Sequence, residues 1–290
     1  MLSNLGKVLY PAAGFTKRNV IDYYAAIAAV LLPHLEGRAL TVKRYPDGVE
    51  GKAFYEKQAP AHRPDWVQTV SVASERREWI DYTLAQDLAT LVWLANLAAL
   101  ELHTPLARAA AAERPTTLVF DLDPGPPATI VECCHVGLLL QAMFEALGLR
   151  SFAKTSGSKG LQVYVPLNGD VTFAQTKPFA RAVAELLERA EPDLIVSRQT
   201  RSLRPGKVLI DWSQNDQHKT TVCVYSLRAR DRPTVSMPVE WDEVRTALAS
   251  GDPHDLAFDA VQVLDRVSTR GDLLAPALSL VQVLPPATPT

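Results

Sequence analysis

The sequence predicts an α+β fold, with two small mixed or antiparallel sheets flanked by helices. Two observations carry this reading. Short strand-like runs, two of them ending in acidic residues, alternate irregularly with helix openings of the form Thr-x-x-Glu/Gln. The order of the segments is neither regular strand–helix alternation nor strands alone, which argues against a parallel α/β sheet and a β-sandwich. A chain of 290 residues suits one large domain or two lobes, and 47% hydrophobic content supplies a core without covalent staples.

Residues 16–32 place Ile21, Tyr24, Ala25, Ala28 and Leu31 at helical spacing, and Pro33 is expected to end that helix. Residues 39–45 read as a strand followed by the turn Pro46-Asp47-Gly48. Residues 52–56, 66–72 and 78–82 are further strands. Thr83 and Gln86 have capping-box spacing and predict a helix to about residue 102. The Ala-rich segment 104–114 fits helix or loop. After the strand 117–123, Thr129 and Glu132 open a helix to Leu147, with Gly148 just beyond its end. Residues 150–154 and 161–165 read as strands joined by Ser156-Gly-Ser-Lys-Gly160. Thr172 and Gln175 open a helix to about residue 190, and strands follow at 194–196, 208–211 and 221–224. A charged helix is expected after Pro238. The expected organisation is a single domain over 1–272, with an N-terminal lobe to about 115 and a catalytic lobe over 116–272. A partly disordered tail follows at 273–290.

Cys133, Cys134 and Cys223 show no metal-ligand spacing, which argues against structural zinc and fits a reducing cytoplasm. No signal-peptide core opens the chain, and the apolar run at 88–100 is too short to span a bilayer, so no membrane is expected. A net charge of −2 argues against coating nucleic acid by bulk charge and leaves room for local basic patches.

The chemistry centres on Thr117-Leu-Val-Phe-Asp121-Leu-Asp123-Pro-Gly125. Side chains two apart on a strand share a face, so Asp121 and Asp123 project together. Two neighbouring carboxylates repel, and a hard divalent cation, Mn²⁺ or Mg²⁺, relieves that repulsion. An Asp-rich turn is the plain alternative. Thr155-Ser156-Gly157-Ser158-Lys159-Gly160 has the makings of a phosphate cradle, although it lacks P-loop spacing and also reads as a flexible hairpin. Val208-Leu-Ile-Asp211 is a second apolar strand ending in an acid. Three carboxylates fit a two-ion site for nucleotidyl transfer, with Lys159, Lys219 and Arg228 as cations for a triphosphate.

These strings in this order, V-F-D-L-D-P-G, T-S-G-S-K-G-L and V-L-I-D-W-S-Q-N followed by K-T-T and Y-S-L-R, resemble the polymerase domain of bacterial ATP-dependent DNA ligase D. That family belongs to the archaeo-eukaryotic primase superfamily, and the resemblance extends from about Asn4 to Asp272. It implies a primase-like catalytic core and a primer-extending polymerase of end-joining repair. Such an enzyme takes NTPs or dNTPs, favours Mn²⁺ and uses gaps or ends with a 5′-phosphate. Carried over by residue, Asp121, Asp123 and Asp211 match the catalytic metal ligands. His103, Ser156, Ser158, Lys159, Gln214, Lys219 and Arg228 match the nucleotide pocket. Asn4, Lys7 and Lys17 match the pocket for the downstream 5′-phosphate, where a dianion meets two cations and an amide. Arg44, Phe54, Tyr55 and Lys57 fall in template-side segments, and Arg204 on a loop near the primer terminus. Gln162 stands where the family usually has His. It is expected to point toward the triphosphate, offering a neutral donor in place of a chargeable one. The implied partners are Ku and an ATP-dependent DNA ligase, and the implied setting is the bacterial cytoplasm, at the nucleoid.

Two other readings compete. A non-catalytic module that binds or bridges DNA ends would need the same 5′-phosphate residues. A haloacid-dehalogenase-like phosphatase also uses D-x-D and a later D-x-x-x-x-D, here Asp211 to Asp216, but Gly125 stands where that family has Thr or Val.

Overall fold

The computed structural model describes residues 1–74 and 78–285, so the end of the expected tail, 286–290, lies outside the described residues. The chain divides into two compact units. The first comprises Met1–Ala112, Thr220–Ser236 and Phe258–Asp272, and the second Glu113–Lys219, Met237–Ala257 and Leu273–Thr290. The chain therefore leaves the first unit near residue 115 and returns to it twice. Residues 273–285 are held in the second unit by side-chain amides. Asn168 Nδ2 donates to the carbonyls of Ala277 and Leu280 at 3.0 and 2.8 Å, and Gln282 Nε2 to that of Pro166 at 2.8 Å.

Among the described residues of the first unit, a four-stranded antiparallel sheet runs in the order Thr221–Val222, Ala99–Thr104, Thr41–Arg44, Phe54–Glu56. The helix Lys17–Leu35 opens with a capping box between Thr16 and Asn19 and buries Val20, Ile21, Tyr24, Ile27, Ala28, Leu31 and Leu35. The helix passes Pro33 instead of ending there. Proline removes the bond to the carbonyl of Ala29, an exposed residue, and burial of Leu31, His34 and Leu35 secures the last turn. The second expected helix is shorter than its capping-box spacing suggested. It spans Leu88–Asn96, capped by Asp87, whose Oδ1 accepts from Thr90 N at 2.7 Å. Ala98 then adopts φ 57°, and Ala99–Thr104 forms a fully buried strand. A continuous apolar run does not distinguish buried strand from buried helix by periodicity, which is why the expected helix was carried on to about residue 102.

Among the described residues of the second unit, a six-stranded sheet runs in the order Ile195–Val196, Val208–Asp211, Thr117–Pro124, Leu161–Pro166, Phe152–Thr155, Pro238–Val239. Its pairs are antiparallel except the first, so the sheet is mixed. The helix Ile130–Ala146 opens with the Thr129–Glu132 capping box and packs on the apolar face of Thr117–Pro124. Phe144 meets Phe120 at 5.4 Å between ring centroids, and a Cβ on Gly137 would lie 2.9 Å from Leu161 Cδ2, so a larger residue there would push the Leu161 side chain aside. Asp121 and Asp123 occupy the opposite face.

Asn215, fully buried, extends the ladder where Val208–Asp211 stops. Its Oδ1 accepts from Val119 N at 2.9 Å, and its Nδ2 donates to Val119 O at 2.7 Å and Trp212 O at 2.9 Å. Asn215→Leu strands the buried N–H and C=O of Val119 and is expected to cost about 3 kcal/mol, read as a lower urea midpoint at unchanged m-value.

Candidate active site

In the second unit, strand register sets four polar side chains in one row. Lys154 pairs with Gln162, Gln162 with Asp121, and Asp121 with Asp211. Directly opposed residues point to the same face, so Asp211 comes beside Asp121, and Asp123 follows two residues along. Gln162 Nε2 donates to Asp121 Oδ1 at 2.9 Å, and Tyr164 Oη donates to Gln162 Oε1 at 3.4 Å. Gln162 is thus engaged by Asp121, where the sequence suggested a triphosphate contact. The Asp121 carboxyl is pushed above the ordinary range, chiefly by burial, then by the charge of Asp123; Gln162 opposes this, Asp211 adds to it, and Lys154 lowers it.

Asp211, 8% exposed, is saturated differently. Its Oδ1 accepts from Gln199 Nε2 at 2.8 Å, Ser213 N at 3.0 Å and Ser213 Oγ at 2.5 Å, and its Oδ2 from Gln214 Nε2 at 2.9 Å. Lys219 Nζ in turn donates to Ser213 Oγ at 2.5 Å. The donor set has the right chemistry for a divalent cation: hard oxygens, crowded and mutually repelling. The side chains as they lie do not close into a cage. Among the described residues no group of three or more His, Cys, Asp or Glu side chains could hold an ion. As they lie, Asp211 faces Gln199 and Gln214, and Asp121 faces Gln162.

The hairpin between Phe152–Thr155 and Leu161–Pro166 is organised by Ser156. Its Oγ accepts from Ser158 N at 3.2 Å and Gly160 N at 3.1 Å, so this hydroxyl shapes the loop. Ser158 and Lys159 are exposed, and Lys159 Nζ reaches back to Pro124 O at 3.1 Å. Arg204 donates through Nη2 to Gln199 O and Oε1 at 2.6 and 2.9 Å, which links it through Gln199 to Asp211.

The first unit carries two further clusters. Asn4 O accepts from Lys7 N at 3.0 Å and Lys7 O from Lys17 N at 2.8 Å, which seats all three expected phosphate residues at the start of the first helix. Lys17 is 7% exposed, and burial, then Lys7 and Arg44, lower its ammonium pKa. A buried cation among like charges is a site an anion stabilises. Lys7 Nζ is held meanwhile by Asp47 at 2.9 Å. Arg44 is tied to Glu56 at 2.8 Å and stacks over Phe54 at 5.3 Å. Phe54 and Tyr55, 42% and 58% exposed, present ring area, and Lys57 is exposed beside them.

The other cluster surrounds His103, which lies on the buried strand Ala99–Thr104. His103 Nε2 meets Glu101 Oε2 at 3.0 Å, Tyr55 packs edge-on at 5.5 Å, and Arg228 Nε lies 3.6 Å from Glu101 Oε1. Burial, followed by Arg228 and Lys43, lowers the His103 pKa against the pull of Glu101. Burial would raise Glu101, but the His103 hydrogen bond, Arg228 and the Ala229 amide outweigh it and bring its pKa to about 2.

Sequence reasoning missed Glu101, Lys154 and Gln199. Glu101 stands two residues from His103, a same-face signal available once 99–104 is read as a strand. Lys154 is fully buried and pairs in register with Gln162, which only the sheet reveals.

The family model of the LigD primase-polymerase domain matches residues 16–274. The chain is 44% identical over 277 residues to the multifunctional non-homologous end joining protein LigD of Mycolicibacterium smegmatis, covering 95% of this chain and 35% of that protein. It is 32% identical over 270 residues to the bifunctional protein LigD of Bacillus subtilis, covering 93% of this chain and 42% of that one. The chain thus spans between about a third and two fifths of these relatives' length. Among solved structures, the polymerase domain of Mycobacterium tuberculosis ligase D in complex with DNA superposes with a TM-score of 0.89 at 40% identity, covering 97% of this chain and 99% of that one. Among the described residues no helix is long and apolar enough to cross a membrane. None of these matches favours the phosphatase reading, and the chain belongs to the LigD primase-polymerase domain family.

Proposed function

We propose that this chain is a template-dependent primase-polymerase that adds ribo- or deoxynucleotides to a primer 3′-hydroxyl at gaps or ends with a downstream 5′-phosphate, in end-joining repair. The observation that carries the reading is the row Gln162–Asp121–Asp211, with Asp123 beside it, on adjacent strands of one sheet. Asp121, Asp123 and Asp211 would hold the divalent cations, Mn²⁺ or Mg²⁺. Bound there, the ions would acidify the attacking hydroxyl and neutralise the departing pyrophosphate. Gln162 fixes the Asp121 carboxylate, and Gln199, Ser213 and Gln214 fix that of Asp211. Ser158 and Lys159 offer a hydroxyl and a cation to the triphosphate, and Lys219 further charge.

The DNA-bound M. tuberculosis neighbour supports DNA as the substrate of this chain. Lys7, Lys17 and Asn4 would take the 5′-phosphate, which displaces Asp47 from Lys7. Phe54 and Tyr55 would stack on template bases, each worth about 1–3 kcal/mol. The relatives' names support a setting in non-homologous end joining in bacteria, in which Ku and an ATP-dependent ligase would be this chain's partners.

Primer extension across a short gap, with Mn²⁺ or Mg²⁺ and either nucleotide type, tests the reading. Metal-dependent templated addition is expected. DNA binding without addition would leave an end-binding module. Lys17→Met tests the phosphate pocket. It should erase the preference for phosphorylated gaps and lower the salt slope of DNA binding by about 1, while simple extension persists. An undiminished phosphate preference would refute the pocket.

A further inference from the structure

Glu101 is 3% exposed and gathers donors from four residues of the first unit. Its Oε2 accepts from His103 Nε2 at 3.0 Å, and its Oε1 from Tyr45 Oη and Ala229 N, each at 3.1 Å, with Arg228 Nε at 3.6 Å. Two residues apart on one strand, Glu101 and His103 share a face. An ionised carboxylate only accepts hydrogen bonds, so the proton of a neutral His103 sits on Nε2 and its lone pair on Nδ1. Burial, followed by the nearby cations Arg228 and Lys43, opposes the doubly protonated imidazolium.

We propose that Glu101 is a positioning residue that holds His103 as the Nε2–H tautomer, so that His103 presents Nδ1 to the nucleotide as a hydrogen-bond acceptor. His103 then takes a hydrogen bond from a hydroxyl or amino group of the nucleotide and does not donate to its phosphates. The inference rests on the polymerase reading proposed above and on the nucleotide role that the family resemblance implies for His103. Glu101 itself touches no substrate; its contribution is the orientation and proton position of its neighbour.

The test begins on the wild-type protein without nucleotide, where ¹⁵N side-chain NMR assigned through His103→Gln reads the tautomer. A protonated Nε2 and an unprotonated Nδ1 near neutral pH are expected. Glu101→Gln should then redistribute the His103 tautomers and raise KM for the nucleoside triphosphate by about tenfold, the loss of one charge-assisted hydrogen bond, with kcat within about twofold. In a His103→Ala background the same Glu101→Gln change should move KM by less than about twofold, because coupled residues are not additive. A wild-type Nδ1–H tautomer overturns the proposal, as does a Glu101→Gln effect that adds in full to His103→Ala. If His103→Ala leaves KM unchanged, the nucleotide role of His103 falls and takes this proposal with it. The NMR result separates that failure from a failure of the Glu101–His103 pairing.

Discussion

Replacing Asp121 by asparagine is expected to cut nucleotide addition by about a thousandfold or more, while the protein melts at or above the wild-type temperature. Two effects compete here. Asp121 accepts a hydrogen bond from Gln162, which favours the native charge, but burial and the charges of Asp123 and Asp211 oppose it. Asparagine keeps the shape and an oxygen for Gln162 and removes the repulsion, so the stability balance turns in its favour. Activity moves the other way, because the uncompensated charge is the feature that suits a cation. Single-turnover extension and calorimetry on Asp121→Asn and Asp123→Asn read both halves. Wild-type extension would end the catalytic assignment. Loss of activity accompanied by a lower melting temperature would point to a structural role for the carboxylates. Retained binding to 5′-phosphorylated DNA would show that end recognition does not depend on this site.

Gly125→Ala is expected to destabilise the fold and to lower activity with it. A Cβ built at Gly125 would lie 2.0 Å from the carbonyl oxygen of Arg204 and 2.7 Å from its carbonyl carbon. Those are backbone atoms of the segment that also bonds Gly125: Gly125 N donates to Lys207 O at 2.8 Å, and Gly206 N to Gly125 O at 3.0 Å. Neither side can turn away, so the strand end or the loop must shift. A cost of about 3 kcal/mol, or a drop in melting temperature of about 5 °C or more, is expected. The same shift moves the end of the strand that carries Asp123, so extension should fall along with stability. Gly6→Ala is the control, because a Cβ there meets nothing within 4 Å and the backbone is not in the left-handed region. Equal melting temperatures for the two variants would show that the 204–207 loop yields without cost.

The motif chemistry was legible because it is local. Alternation along 117–124 places Asp121 and Asp123 on one face in any strand, and Thr129 and Glu132 cap a helix through four consecutive residues. The same locality explains the errors. The apolar run after Asp87 reads equally as helix or strand, and only the left-handed turn at Ala98 and the pairing of 99–104 with Thr41–Arg44 decide it. Pro33 looked like a helix end because its missing N–H is visible in the sequence, whereas the burial of Leu31, His34 and Leu35 that secures the last turn is not.

By itself, then, the sequence determined the α+β class, the strand ends that carry the acids, the glycine-rich hairpin and, through the combined motifs, the family. The tertiary structure alone decided what those side chains do there. It set Gln162 against Asp121, surrounded Asp211 with amide and hydroxyl donors, buried Lys154 in the same row and placed Glu101 under His103. The physical reason is that hydrogen bonds and charge interactions act over a few ångströms, whereas many of the residues they join, such as Glu101 and Ala229, are far apart in the chain. Strand register, which no single segment encodes, determines which of them meet.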